Sequence, residues 1–272
     1  MSRRITLISL LVILVIVGLI SGFFTGSIQK ALSTPVAQMM DDMVKGPPTQ
    51  VPAAPPAAKP GQMTAPPGAM QTGNVGNTLA QDSFQRQNQR LWGTASDGRM
   101  WEGDANKANA FSIANNAGQI ANAQGTLNAL LGLPGTNMEA TLSGSLNHFN
   151  NGKVNLGAVL RWADDNDWYK VLIDGAHVSM LKRVHGVTTT LATVPFQAQG
   201  GKMYSLRFRA IGAMLFARAW PTGSPEPQNW MLNVTDTTLT TGQAGVRVLM
   251  QGQSVVNITT FSVLPATLGN TA

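Results

Sequence analysis

Cysteine is absent from the 272-residue chain, which excludes disulfides, thiolate metal centres, cysteine nucleophiles and a lipidated N-terminal cysteine. Charge is scarce as well: Asp, Glu, Lys and Arg make up 12% of the residues, and solubility rests on Gly, Ser, Thr, Asn and Gln, as in many extracellular β-proteins. The formal charge of +6 is divided between the N-terminal region and the rest with no dense Lys/Arg run, so the clustered basic footprint of a nucleic-acid-binding protein is missing. Glu102, Glu139 and Glu226 are the only glutamates and fall in unrelated segments. A retaining glycosidase needs two carboxylates about 5–5.5 Å apart, and no strand-like segment supplies such a pair. The three histidines, His148, His177 and His185, show neither HxxxH nor HxH spacing and fall at expected turns. There is no Gly-x-Ser-x-Gly elbow and no phosphate-binding glycine loop. These absences lean away from an enzyme.

One long hydrophobic run is present. Residues 5–24, ITLISLLVILVIVGLISGFF, carry no charge and match the roughly 20 residues that cross a bilayer as a helix. Arg3 and Arg4 precede the run, which orients it with the N-terminus in the cytoplasm and the remainder exported. A cleaved signal peptide would have a shorter apolar core and a small-x-small site, approximated only by Thr25-Gly26-Ser27. Residues 1–27 therefore read as a cytoplasmic stub and single-pass signal anchor. Gly18, Gly22 and Gly26 line one side of that helix and offer a route to a homo-oligomer. Residues 28–45 predict a short amphipathic helix, with Thr34-Pro35 at its start and Val36, Met39, Met40, Met43 and Val44 on one face. Residues 46–78, rich in Pro and Ala, predict a semi-extended linker that reaches up to roughly 90 Å from the membrane at polyproline spacing.

Beyond the linker the periodicity becomes two. Val154, Leu156, Ala158, Leu160 and Trp162 alternate with Asn155, Gly157, Val159 and Arg161, and Tyr169, Val171 and Ile173 alternate with Lys170, Leu172 and Asp174. Similar runs at 178–184, 187–194, 203–211, 214–220, 230–235, 245–250 and 255–263 are separated by Asp-Gly, His-Gly and Gly-Gly turns. Many short strands without amphipathic helices predict an all-β domain over residues 79–267, an antiparallel β-sandwich or jelly roll, with 268–272 as a tail. Between the first two strands lies Ala163-Asp164-Asp165-Asn166-Asp167, which could be a metal loop, an acid cluster or a turn. A calcium loop of the EF type needs Gly at its sixth position and Glu at its twelfth, and neither follows. Asp and Asn favour tight turns by bonding nearby backbone, so a hairpin turn is expected and no cofactor, with structural calcium disfavoured.

The segment DSFQRQNQRLWGTASDGRMWEG at 82–103, with its D-x-F-x-R, W-G and G-x-x-W pattern, resembles the start of a concanavalin A-like (laminin-G-like) lectin/glucanase jelly roll of exported bacterial or phage-associated proteins. The likeness continues in RWADDNDWYKVLIDG at 161–175, RAWPTGSPEPQNW at 218–230 and TGQAGVRV at 241–248, and so spans 80–265. It departs in the last strand, where Thr259 and Thr260 stand at positions that relatives often fill with calcium-binding acids. The resemblance implies the fold, while members of the group include glycosidases, sugar-binding modules, adhesion domains and inert spacers.

The residues offer few ligand contacts. Trp92, Trp101, Trp162 and Trp230 fall at positions that predict core; Trp168 and Trp220 border loops and are the better candidates to stack on sugars, although core is the first expectation for them too. Arg161, Arg207 and Arg209 are expected on one sheet, with Lys170 and Arg218 nearby, a cationic face suited to acidic glycans or carboxylate-bearing polymers. Glu226, between Pro225 and Pro227, is expected to pair or cap within its loop. Three functions stay open: a membrane-anchored, non-catalytic binding or adhesion module for carbohydrate or envelope polymer; a hydrolase similar to keto-disaccharide hydrolases; and a structural envelope spacer. Fractionation of expressing cells should recover the full-length chain in the membrane fraction, with the linker cleaved by protease added outside; a cytosolic chain would contradict the anchor.

Overall fold

The computed structural model describes residues 78–150 and 152–267. The expected anchor with its glycine stripe, the amphipathic helix, residues 46–77 of the linker and the tail lie outside the described residues. Among the described residues no helix is long and apolar enough to cross a membrane.

The described chain is an antiparallel β-sandwich. One sheet has nine strands. Eight run in the order β14 (Leu232–Thr235), β13 (Met214–Pro221), β12 (Met203–Ile211), β7 (Met138–Leu146), β16 (Val255–Pro265), β5 (Ala117–Ala121), β4 (Phe111–Ala114) and β2 (Gln89–Arg90). The ninth, β1 (Ala80–Asp82), pairs with the C-terminal half of β16, as Ala80 opposite Val263 shows. The other sheet has seven strands, in the order β11 (Val187–Pro195), β10 (His177–Val184), β9 (Asp167–Ile173), β8 (Leu156–Asp164), β15 (Gln243–Met250), β6 (Gly125–Leu130) and β3 (Glu102–Gly103). A 3-10 turn at Asp104–Asn106 follows β3.

Period-two alternation sets which side chains meet between the sheets. From the nine-stranded sheet, β12 buries Tyr204, Leu206, Phe208 and Ala210 and β7 buries Met138, Ala140 and Leu142. From the other sheet, β8 contributes Leu156, Ala158 and Leu160, and β9 contributes Tyr169, Val171 and Ile173. The acidic loop is a turn, as expected: Asp164 pairs with Asp167 across Asp165-Asn166, and the Asn166 amide donates to Asp164 Oδ1 at 2.6 Å. The register shifts between Leu160 and Asp164, and Arg161 sits there at φ 50°, a left-handed conformation rare for a long side chain.

The D-x-F-x-R and tryptophan pattern closes the sandwich beside β16. Asp82 is 2% exposed, and its carboxylate accepts bonds from the Phe84 amide (2.8 Å), Arg86 Nη1 and Nη2 (2.8 and 3.0 Å), the Ser96 amide (3.2 Å) and Trp101 Nε1 (2.7 Å). Arg86 Nη2 also donates to the Trp92 carbonyl at 2.7 Å. The bonds hold Phe84, Trp92 and Trp101 in one cluster, edge-on for Phe84–Trp92 and Trp92–Trp101 (centroids 5.0 and 4.8 Å apart) and stacked for Phe84–Trp101 at 5.8 Å. Gly118 on β5 is required beneath it, because a Cβ there would lie 2.4 Å from the Phe84 ring and 2.9 Å from Trp92.

Asp82→Ala removes the acceptor of several buried donors at once and should cost about 2–4 kcal/mol. Urea unfolding followed by tryptophan fluorescence measures it; a loss below about 1 kcal/mol would show that the segment is held by apolar packing alone.

Candidate functional site

A polar pocket lies on the outer face of the nine-stranded sheet, and alternation along the strands builds it. Because Leu206 and Phe208 point into the core, Arg207 and Arg209 emerge on the opposite face of β12. The register sets Arg207 opposite Arg218 of β13 and Arg209 opposite Glu139 of β7. Like charges directly opposed across a strand pair repel, so the Arg207–Arg218 pair needs a carboxylate between its members. The loop from β13 to β14 delivers one. Glu226 Oε1 lies 2.6 Å from Arg207 Nε and 2.5 Å from Arg218 Nε, and Arg207 Nη2 donates to Glu226 Oε2 at 2.9 Å. Glu139 takes Arg207 Nη1 on one oxygen and Arg209 Nε on the other, the latter at 2.5 Å. The same loop turns its carbonyls inward, where Arg218 Nη1 donates to Pro227 O at 2.5 Å and Gln228 O at 3.1 Å.

The network is not closed. Three guanidiniums face two carboxylates, leaving one positive charge in excess. Arg207 Nε, Arg218 Nε and Glu226 Oε1 are buried and close together, yet none makes a hydrogen bond of good geometry, since the short contacts to Oε1 lie off the N–H axes. Among the described residues, Arg209 Nη1 and Nη2 donate to no protein acceptor. Trp230 fixes the guanidinium planes from the side: its ring lies 4.5 Å from the Arg218 guanidinium and 5.0 Å from that of Arg209, and it packs on Phe216 at 5.4 Å. The space enclosed is about 390 Å³, with Leu264 of β16 and Pro227 as its apolar walls.

The expected cationic face divides between two sheets. Arg207, Arg209 and Arg218 share the pocket, but Arg161 and Lys170 belong to β8 and β9 of the seven-stranded sheet, which corrects the expectation that Arg161 lies beside Arg207 and Arg209. Arg161 is 1% exposed and ties three loops to the sandwich: Nε and Nη2 donate to Thr136 O (3.1 and 2.9 Å), Nη1 to Leu239 O (2.7 Å), and Nη2 also to Gly212 O (2.6 Å). The bulge at residue 161 turns the arginine toward these carbonyls, which the simple alternation of the sequence conceals. Lys170 is buried too, its Nζ donating to Asn155 Oδ1 at 2.7 Å, and its methylenes run where any side chain at Gly157 would clash, 2.6 Å from Cε.

Trp168 and Trp220, the ligand candidates for which core was the first expectation, are 4% and 8% exposed, and Trp168 lies under the Arg247 guanidinium at 4.6 Å. Trp162 and Trp230, read as core, are only partly buried. Trp92 and Trp101 are core, as expected. Sequence reasoning did not connect Glu139 or Trp230 to the arginines. The available signals were the alternation of Glu139 with Ala140 and Thr141, and the place of Trp230 at the end of the proline-bounded loop.

No family model matches the chain, and no curated protein matches it. Solved structures of similar fold include the GH43 protein BlXynB from Bacillus licheniformis, at 12% identity and a TM-score of 0.51 over 68% of this chain and 39% of that one. A bifunctional GH43-CE protein of Bacteroides eggerthii matches at 12% identity and a TM-score of 0.51, over 72% of this chain and 29% of the other. The carbohydrate-binding module CBM66 from Bacillus subtilis aligns at 17% identity and a TM-score of 0.47, over 59% of this chain and 94% of that module. This chain thus spans about two fifths or less of the two GH43 structures, and likeness at these identities shows the all-β sandwich fold alone.

Burial, with Arg247 beside it, holds the Lys170 amine well below the usual lysine range. A folded-state pKa below the unfolded value of about 10.4 means that the ammonium costs stability as pH falls through that interval, and the full cost is present once pH lies under the folded value. Lys170→Met should therefore raise the thermal midpoint at pH 7 by about 2–8 °C, with the gain shrinking toward pH 10. A lower midpoint at pH 7 would show that the Asn155 bond outweighs the burial.

Proposed function

We propose that the chain is an exported, membrane-tethered binding module that holds a saccharide of an envelope or extracellular polymer in the outer-face pocket and performs no chemistry on it. The observation that carries this reading is the side-by-side placement of charged donors and acceptors against an apolar wall: Arg209 and Glu139 stand next to each other, and Leu264 and Pro227 face the same space. A sugar hydroxyl is both donor and acceptor, so it bonds a carboxylate and a guanidinium at once, while the ring's C–H face needs an aliphatic surface. A volume near 390 Å³ suits one or two sugar rings rather than a long buried chain.

Absence of catalysis is part of the proposal and rests on how the acids are used. A glycosidase's general acid stands in an environment that keeps it protonated, whereas Glu139 and Glu226 each bridge two guanidiniums. The tether rests on the uncharged run at 5–24 and its two preceding arginines.

A glycan array probed with the full-length chain in neutral detergent, followed by titration calorimetry on the best saccharide, tests the reading. Arg209→Ala should weaken binding about 10-fold or more while Glu139 keeps Arg207, and Trp230→Ala should weaken it by releasing Arg209 and Arg218. Binding should persist in a chelator. Unchanged affinity in Arg209→Ala, or turnover of a glycoside abolished by Glu139→Gln or Glu226→Gln, would overturn it.

A further inference from the structure

We infer that Glu226 occupies the chain's own carboxylate subsite, and that the saccharide the pocket takes bears a carboxylate that displaces it. The inference rests on the saccharide reading and adds the charged group of the ligand and the place where that group binds.

Arg207 and Arg218 lie directly opposite each other on adjacent strands, a like-charge pair that holds its geometry through an anion. That anion belongs to a surface loop rather than to either strand, and it is 27% exposed at the side chain. Its seating is imperfect. Oε1 touches both Nε atoms at 2.5–2.6 Å without a well-aligned hydrogen bond to either, so two buried guanidinium N–H groups are left poorly used. By contrast Glu139, fixed on β7, divides its two oxygens between Arg207 and Arg209. Glu226 thus makes one well-aligned bond, from Arg207 Nη2 to Oε2 at 2.9 Å, while a carboxylate free of the loop can approach in the plane of the guanidinium and form the parallel paired bonds that Arg favours.

Displacement also raises the positive charge that the pocket offers an anion. With Glu139 and Glu226 both seated, the pocket is one positive charge in excess, enough for a single carboxylate shared between Arg209 and Arg218. When Glu226 swings out to solvent, the excess in the pocket rises by one and the two Nε groups become available. Trp230, at the loop's C-terminal end, keeps Arg209 and Arg218 in place, and the Pro227 and Gln228 carbonyls still hold Arg218 Nη1, while the Glu226 side chain turns out.

Titration calorimetry of the full-length chain, wild type against Glu226→Ala and Glu226→Gln, uses a galacturonic acid tetrasaccharide and its carboxyl-reduced, neutral counterpart. Loss of the internal competitor should tighten binding of the uronate about 10-fold in Glu226→Ala and less in Glu226→Gln, with the neutral sugar changed by under about 2-fold; thermal melts confirm that each variant is folded. Equal uronate affinity in wild type and both folded variants overturns the inference while leaving the saccharide reading intact, as does a neutral sugar that binds better than the uronate to every form. Failure of any saccharide on the array or in calorimetry to bind the wild type or the folded variants overturns both.

Discussion

A single carboxylate with almost no contact with water organises the entry into the fold. Asp82 gathers two backbone amides, the Arg86 fork and the Trp101 indole, and thereby draws the chain from 80 to 101 over the C-terminal half of β16. In a chain without disulfides this is how a β-sandwich closes its side: the charge is desolvated, and the cost is offset because nearly every lone pair is used. The aromatic cluster then packs against Phe261 of β16, with Trp101 and Phe261 centroids 5.3 Å apart. Since β16 also lies beside β7, and β7 beside β12, the orientation of the pocket face follows from how that strand is seated.

The two sheets treat buried cations differently, and that difference separates structure from site. On the seven-stranded side, Arg161 is spent on loop carbonyls, Lys170 on a neutral amide, and Arg247 on the face of Trp168 and the side chains of Asn128 and Asp165. These groups support loops and fill space left by glycine. On the nine-stranded side three guanidiniums share two carboxylates, one of them on a loop, with terminal nitrogens of Arg209 unpaired among the described residues. Excess charge beside an apolar wall is the feature on which the proposed binding role rests.

Much of the fold was legible. The runs at 203–211 and 214–220 became Met203–Ile211 and Met214–Pro221, and 255–263 became Val255–Pro265, because one face of each strand is buried and alternation is strict. Strands β4 to β7, between 111 and 146, were not named: β4 and β5 are short, at four and five residues, and Ala, Gly, Asn and Ser sit among the apolar positions of β5, β6 and β7. The pocket was half legible. Alternation places Arg207 and Arg209 on one face, but it does not say which strand supplies the neighbours, and a bulge at 161 breaks the rule for Arg161. Trp162 and Trp230, expected in the core, are only partly buried, while Trp168 borders a turn in sequence yet is covered by Arg247, from a strand nearly eighty residues later.

The most direct measurement is a crystal structure of the chain with a bound galacturonate oligosaccharide. The account predicts a sugar ring against Leu264 and Pro227, its carboxylate on Arg207 and Arg218, and Glu226 turned out to solvent. An oligosaccharide on the outer face of the seven-stranded sheet, over Arg247 and Trp168, with Glu226 still between the two arginines, would contradict it.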